Sequence, residues 1–343
     1  MRNHLVRSLL FCVLASSMHA FAQEARRPPT FHPKQAQPES GPPAITLRAT
    51  STIELPVLPF AYFGEPLCDV NGNLFFHRDS GQVGGISVLR ISASGDDTTD
   101  YHLDAESAQK YVFNSFAVSP SGTVFVIAHG LDGSHVVLDF AADGSVRGTN
   151  RLETPRHLEV RNVGVFDDGA VLLSGYYNGR APDKSVGKNY VAIYEPSGKL
   201  RVRLKGFGAT DGTKDMTQFR EGSVAIGRDG FAYFLFRKEV VVLSSTGEVV
   251  RRIKFAAPRD RGLPTRLNIS GGLLVVVISR NGFDSDLSRE YLILDAATGE
   301  HLGRYKAGPE MQNQDVCFNE SEGFTFLTTD GSQSMKRITA QTR

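Results

Sequence analysis

The chain contains no tryptophan. That absence counts against repeats built on a WD dipeptide, and it removes the commonest aromatic platform for stacking on sugar rings or quaternary amines. Charge of one sign is lacking too: 38 basic residues stand against 37 acidic ones, for a net charge of +1. A balance that close gives no field to concentrate phosphate backbones or anionic lipid, so nucleic acid is not an expected partner. Beyond the first 22 residues no run approaches the roughly 18–20 apolar residues that a spanning helix needs, and no membrane span is expected. Several catalytic signatures are absent as well: there is no G-x-S-x-G elbow, H-E-x-x-H pair, P-loop or EF-hand loop. Cysteine is scarce, three residues in 343.

What is present begins with an export signal. Arg2 and Arg7 make a basic start, Leu9 to Ala15 an apolar stretch, and Ala20-Phe21-Ala22 a small-x-small cleavage site. The mature chain is expected to begin near Gln23 and to work in the periplasm or outside the cell. Phe11, not a small residue, precedes Cys12, which speaks against lipid attachment there. Residues 23–44 carry six prolines and almost nothing apolar. Such a segment cannot offset the entropy of ordering, and reads as a disordered linker.

From residue 45 onward the sequence repeats. A tight-turn glycine follows an apolar stretch and precedes another at Gly72 ("DVNGNLFF"), Gly122 ("SPSGTVFV"), Gly169 ("FDDGAVLL"), Gly230 ("GRDGFAYF"), Gly272 ("SGGLLVVV") and Gly323 ("ESEGFTFL"), about 50 residues apart. A second turn glycine follows in five of the six, at Gly95, Gly144, Gly198, Gly247 and Gly299. Glycine and its Asp, Asn or Ser neighbours supply the positive φ of short hairpins, and the runs between them are short and rich in β-branched residues. Each repeat therefore reads as four antiparallel strands, and four strands at this period make a propeller blade. The fold expected is all-β, a six-bladed β-propeller over 45–343. An uninterrupted run such as "GLLVVVIS" suits a strand buried on both faces between blades. The sixth repeat lacks a fourth strand, and 44–55 is a lone strand without a turn of its own. Pairing 44–55 outside 334–341 would complete the ring and remove an exposed edge.

This cadence resembles the six-bladed propellers of the NHL, TolB-like and gluconolactonase-like group. The resemblance covers about residues 45–343 and rests on "VSPSGTVFV" and "IGRDGFAYF" with their relatives; it speaks for architecture more than function. In such a ring the segments entering each innermost strand converge on one mouth of the central channel. The polar residues delivered there are Glu65, Asn114 with Ser115, Arg161 with Asn162, Arg220 with Glu221, Arg266, and Gln314 with Asp315. They form the candidate binding site, with satisfaction of backbone groups and water in a wet channel as the other reading. The gluconolactonase-like resemblance further implies a divalent metal, Ca²⁺ or Mg²⁺, held at the mouth by Glu65, Asn114, Asn162 and Glu221, where it would polarise a carbonyl toward water. Two departures count against it. Glu221 stands where that family has Asp, and Asn114 lies eight residues before its turn glycine whereas Asn162 lies seven.

Other features receive plainer readings. His77, His129 and His135 lie near strand ends without paired ligand spacing, and are expected to be surface or hydrogen-bonding residues. Asp284 and Asp286 in "FDSDLSRE" lack the glycine and distal carboxylate of a calcium loop. Cys68 and Cys317 fall on the innermost strands of the neighbouring first and sixth repeats. Because they lie four and six residues before their glycines, they are expected at different heights as two buried thiols, with a bridge as the alternative. Residues 176–190, flanked by Tyr176, Tyr177 and Tyr190, form a long loop of recognition-like composition, with 206–219 beside it. The function expected is a non-catalytic, monomeric module that binds a protein or small ligand at the mouth without a cofactor, with metal-dependent lactone or ester hydrolysis as the alternative.

Overall fold

The computed structural model describes residues 44–55, 62–78, 86–178, 189–204, 223–256, 262–280, 289–311, 316–329 and 335–341. The leader, most of the linker, Arg220, Glu221, Asp284, Asp286, Gln314, Asp315 and the loop 206–219 lie outside the described residues, as do the side chain of Glu65 and residues 179–188. The blades belong to the unit Glu39–Arg343.

Two strands come first, β1 (Ile45–Thr46) and β2 (Ala49–Leu55). Blade 1 is β3–β6 (Tyr62–Cys68, Leu74–Arg78, Ser87–Ile91, Thr98–His102), and blade 2 is β7–β10 (Tyr111–Val118, Val124–Gly130, His135–Phe140, Val146–Arg151). Blade 3 is β11–β14 (Leu158–Val165, Val171–Tyr177, Asn189–Tyr194, Leu200–Arg203), and blade 4 is β15–β18 (Val224–Ile226, Ala232–Leu235, Glu239–Leu243, Val249–Lys254). Blade 5 is β19–β22 (Gly262–Ser270, Leu273–Arg280, Arg289–Asp295, His301–Lys306), and blade 6 holds β23–β25 (Val316–Asn319, Gly323–Thr329, Met335–Ala340) with β2 as its fourth strand. The innermost strands β3, β7, β11, β15, β19 and β23 neighbour one another in that order, and β23 returns to β3. The chain is a six-bladed β-propeller.

The turn glycines make the blades possible. Gly122 closes its hairpin with N–H on the Ser119 carbonyl at 2.9 Å and sits at φ 89°, a region closed to most side chains. At Gly144 the constraint is also steric, since a Cβ there would run into the Asp100 carbonyl of blade 1. Side chains alternate across each strand, so a strand sandwiched between blades must be apolar on both faces. In β20, Leu274, Val276 and Ile278 pack toward blade 4, and Val275 and Val277 pack toward blade 6. The core accordingly lies as a ring of apolar layers between blades, not at the axis.

The seam closes as the sequence suggests: β2 pairs antiparallel with β25 from Ala49 opposite Ala340 to Leu55 opposite Met335. The lone segment does more than expected, however. Its first two residues pair parallel to β22 as a fifth strand of blade 5, and Leu47, 2% exposed, is buried between blades 5 and 6 before the chain crosses to blade 6. Arg337 reinforces the seam by donating to the Ala93 carbonyl of blade 1 and to Glu322.

Cys68 and Cys317 are joined as a disulfide across this seam, with Cα atoms 5.9 Å apart. This corrects the expectation of two separate thiols. The offset from the turn glycine is a poor measure of height here, because Asn319 pairs with Gly323 while Asp69 pairs with Asn73. Gly323 therefore takes the place of Asn73 rather than that of Gly72, and the mismatch shrinks from two residues to one.

Candidate binding mouth on blades 2 and 3

A β-bulge sets the mouth. In β7 the register passes from Phe113 opposite Ala128 to Ser115 opposite Ile127, so Asn114 is the extra residue. In β11 it passes from Val160 opposite Gly175 to Asn162 opposite Ser174, so the extra residue is Arg161. In β19 the extra residue is Thr265, and Arg266 resumes the ladder. A bulge re-aims the side chain it inserts. Asn114 is thus the counterpart of Arg161, and Asn162 is the counterpart of Ser115 and Arg266.

The consequences differ residue by residue. Asn162 is 3% exposed; its Nδ2 donates to Ser174 Oγ at 3.2 Å and its Oδ1 accepts from the Ser223 amide at 3.3 Å, tying blade 3 to blade 4. Arg266, 2% exposed, reaches from blade 5 past blade 6 to donate to the Pro66 carbonyl of blade 1, and so crosses the channel. Arg161 stays exposed: its Nη2 donates to Tyr176 Oη at 2.6 Å, its guanidinium lies 5.2 Å from the centre of that ring, and Glu159 is 3.7 Å away. An exposed cation held on an aromatic face is a ready contact for an anionic or carbonyl group.

Below this rim lies a cavity of about 120 Å³ lined by Ser115, Arg161, Asn162, Arg266 and Asn268 with apolar residues of the six inner strands. That volume suits a few waters or the tip of a ligand, since drug-sized molecules need several hundred Å³. A larger cavity of about 340 Å³ opens at the far end, among the inner hairpin turns. Its acids serve those turns. Asp69 accepts from the amides of Asn71 and Asn73, both at 2.9 Å, and Asp229 accepts from the Phe231 amide at 3.2 Å and Tyr233 Oη at 2.6 Å.

The tyrosines separate. Tyr176 belongs to the rim, and Tyr177 meets Tyr190 edge to face with ring centres 6.0 Å apart. Tyr190, read from sequence as part of the loop, is a core residue of β13, 3% exposed; its hydroxyl lies 2.7 Å from that of Tyr194 and Arg203 caps its ring. Burial pushes both hydroxyls above the usual phenol range.

The feature that sequence reasoning missed is at the top of blade 2. His129 is the penultimate residue of β8 and His135 begins β9, directly opposite each other, with ring centres 4.3 Å apart. Asn114 Nδ2 lies 3.0 Å from His129 Nε2, and Thr154 Oγ1 lies 2.8 Å from His135 Nδ1. His135 Nε2 and Asn114 Oδ1 are buried with no hydrogen-bond partner. Burial pushes the His135 imidazole down to about 4, with the neighbouring His129 adding to it; burial also lowers His129, while Glu159 pulls it back up. The signal was in "HGLDGSH", where a tight turn makes residues six apart face each other across a hairpin.

The implied calcium or magnesium set can be tested on its two described members. Asn162 has both ends of its amide engaged between blades, and Asn114 is not its structural counterpart and faces an imidazole. Hard cations want convergent oxygens, so these two residues do not fit that group. Among the described residues no three His, Cys, Asp or Glu side chains come together.

No family model matches this chain, and no curated protein matches it. Solved structures do match in shape. A gluconolactonase from Xanthomonas campestris aligns at 18% identity over 88% of this chain and 99% of its own, with a TM-score of 0.49. A calcium-binding regucalcin from Agrobacterium tumefaciens aligns at 13% identity over 88% and 97%, also at 0.49. A protein of unknown function from Bacteroides caccae aligns at 13% identity over 77% and 82%, at 0.42. The likeness is one of fold.

Proposed function

We propose that the chain is an exported, non-catalytic binding module that receives a protein partner or small ligand on the rim of blades 2 and 3. The observation that carries this reading is Arg161, exposed at the mouth and braced on Tyr176, above a channel crossed by Arg266. The ligand sits on the mouth and sends at most a small group below it. A disulfide at the seam supports work in an oxidising compartment, in line with the leader. The module acts as a monomer and needs no cofactor for this task.

The test uses a photo-crosslinking residue at Tyr176 and compares capture in the native and Arg161→Ala backgrounds. Specific capture lost with Arg161 supports the module, and capture indifferent to it moves the interface elsewhere. Metal-dependent lactone hydrolysis is the alternative. Stoichiometric Ca²⁺ after gentle purification that disappears in Glu65→Gln would favour hydrolysis, and a metal-indifferent protein removes it.

A further inference from the structure

We propose that the top of blade 2 is a site for a divalent transition-metal ion of tetragonal preference, copper(II) first, held by His129, His135 and the side-chain oxygen of Asn114. The proposal is independent of the reading of Arg161 and Tyr176 as a partner-binding rim.

His135 is 2% exposed, and its Nδ1 meets the Thr154 hydroxyl at 2.8 Å. With Nδ1–H donated there, the buried Nε2 carries a lone pair that faces no donor. The Asn114 amide nitrogen donates to His129 Nε2 at 3.0 Å, so that nitrogen presents a lone pair toward Asn114, whose own Oδ1 faces no donor. Two imidazole lone pairs and one amide oxygen thus share a single N–H. Leaving buried acceptors unmet costs stability, and a cation meets all three after a half-turn of the Asn114 amide.

The spacing is compatible with a cis pair of imidazole ligands. A metal–nitrogen bond of about 2.1 Å places each ring centre roughly 3.2 Å from a bound ion. If both Nε2 atoms turn to one ion, ring centres 4.3 Å apart would subtend about 85° there, near the cis angle of tetragonal coordination and short of the tetrahedral one. Imidazole with amide oxygen in that geometry favours copper(II) or nickel(II), and the Irving–Williams order puts copper first. The surroundings suit a ligand set: Thr154 holds His135 Nδ1 as an outer partner, burial favours neutral rings that are ready to bind, and Glu159 offers a countercharge near His129.

The experiment titrates Cu²⁺ into the chelator-treated full chain, with glycine as competitor, and reads calorimetry and electron paramagnetic resonance. One ion per chain is expected, with hyperfine structure from two nitrogens and an affinity at least 100-fold weaker in His135→Gln and in His129→Gln. Because those variants alter a packed blade, Thr154→Val keeps all three ligands and is expected to weaken binding about 10-fold through the lost outer partner. A copper signal unchanged in the His129→Gln/His135→Gln double variant overturns the proposal. So does a high-resolution map in which a water joins His135 Nε2 to Asn114 Oδ1 and Cu²⁺ fails to displace it.

Discussion

The tops of blades 2 and 3 begin from nearly the same sequence element, an asparagine shortly before the inner hairpin, and end in opposite conditions. In blade 3, Asn162 follows the bulge and its amide is engaged at both ends, on Ser174 and on the Ser223 amide of blade 4. In blade 2, Asn114 is the bulge, and it leaves an oxygen unmet beside two histidines. One residue of register separates a finished structural joint from a polar cluster with unmet acceptors. Side chains on a strand alternate faces, so a shift of one turns an interblade tie into a group that faces a histidine of its own blade.

Both tops are distant in sequence from the seam, which gives the first and largest test. Replacing Cys68 and Cys317 by serine should cost about 4–5 kcal/mol in denaturant unfolding, since the bridge closes a loop spanning 249 residues. The titration of the blade 2 histidines should not change; a change would mean the two regions are coupled.

Acid should then distinguish the blades. The His135 imidazole is held down to about 4 in the fold, against an ordinary 6.5. As pH falls through that window the unfolded chain takes up a proton that the folded chain refuses. The stability involved is fully present above 6.5 and is lost as pH drops toward and through about 4, a loss of about 3 kcal/mol. Chemical denaturation at stepped pH should show this slope in the native protein and in Asn162→Ala, and not in His135→Gln.

The asparagines themselves come next. Asn162→Ala strands a buried hydroxyl and a buried amide and should cost about 2–3 kcal/mol. Asn114→Ala loses one half-buried hydrogen bond to His129 together with an oxygen that had no partner, and should cost about 1 kcal/mol by the same measurement. Equal costs would break the contrast. The smallest stability effect belongs to Arg161→Ala, where an exposed side chain is lost and the melting temperature should move by about 2 °C or less while capture at Tyr176 fails.

Much of the ring was legible because turn glycines and two-faced apolar strands are local requirements. Gly122 and Gly144 occupy backbone angles that few other residues tolerate, and β20 has to be apolar on both sides. The partnership of 44–55 with the last blade followed from counting strands. The rest depended on register between segments far apart in sequence. Which asparagine follows a bulge, whether Cys68 and Cys317 share a height, and that Ile45–Thr46 would extend blade 5 are set by how strands slide against their neighbours. The histidine pair lay between these cases, because six residues of sequence separate two rings that only the hairpin register brings face to face.

The most direct test of the contrast is the tautomer and titration of His135 by nitrogen-detected NMR of labelled imidazoles. The account predicts a neutral ring protonated on Nδ1, with an unprotonated Nε2 that persists on acidification to near pH 4. A ring that titrates near 6.5, or one carrying its proton on Nε2, would contradict it.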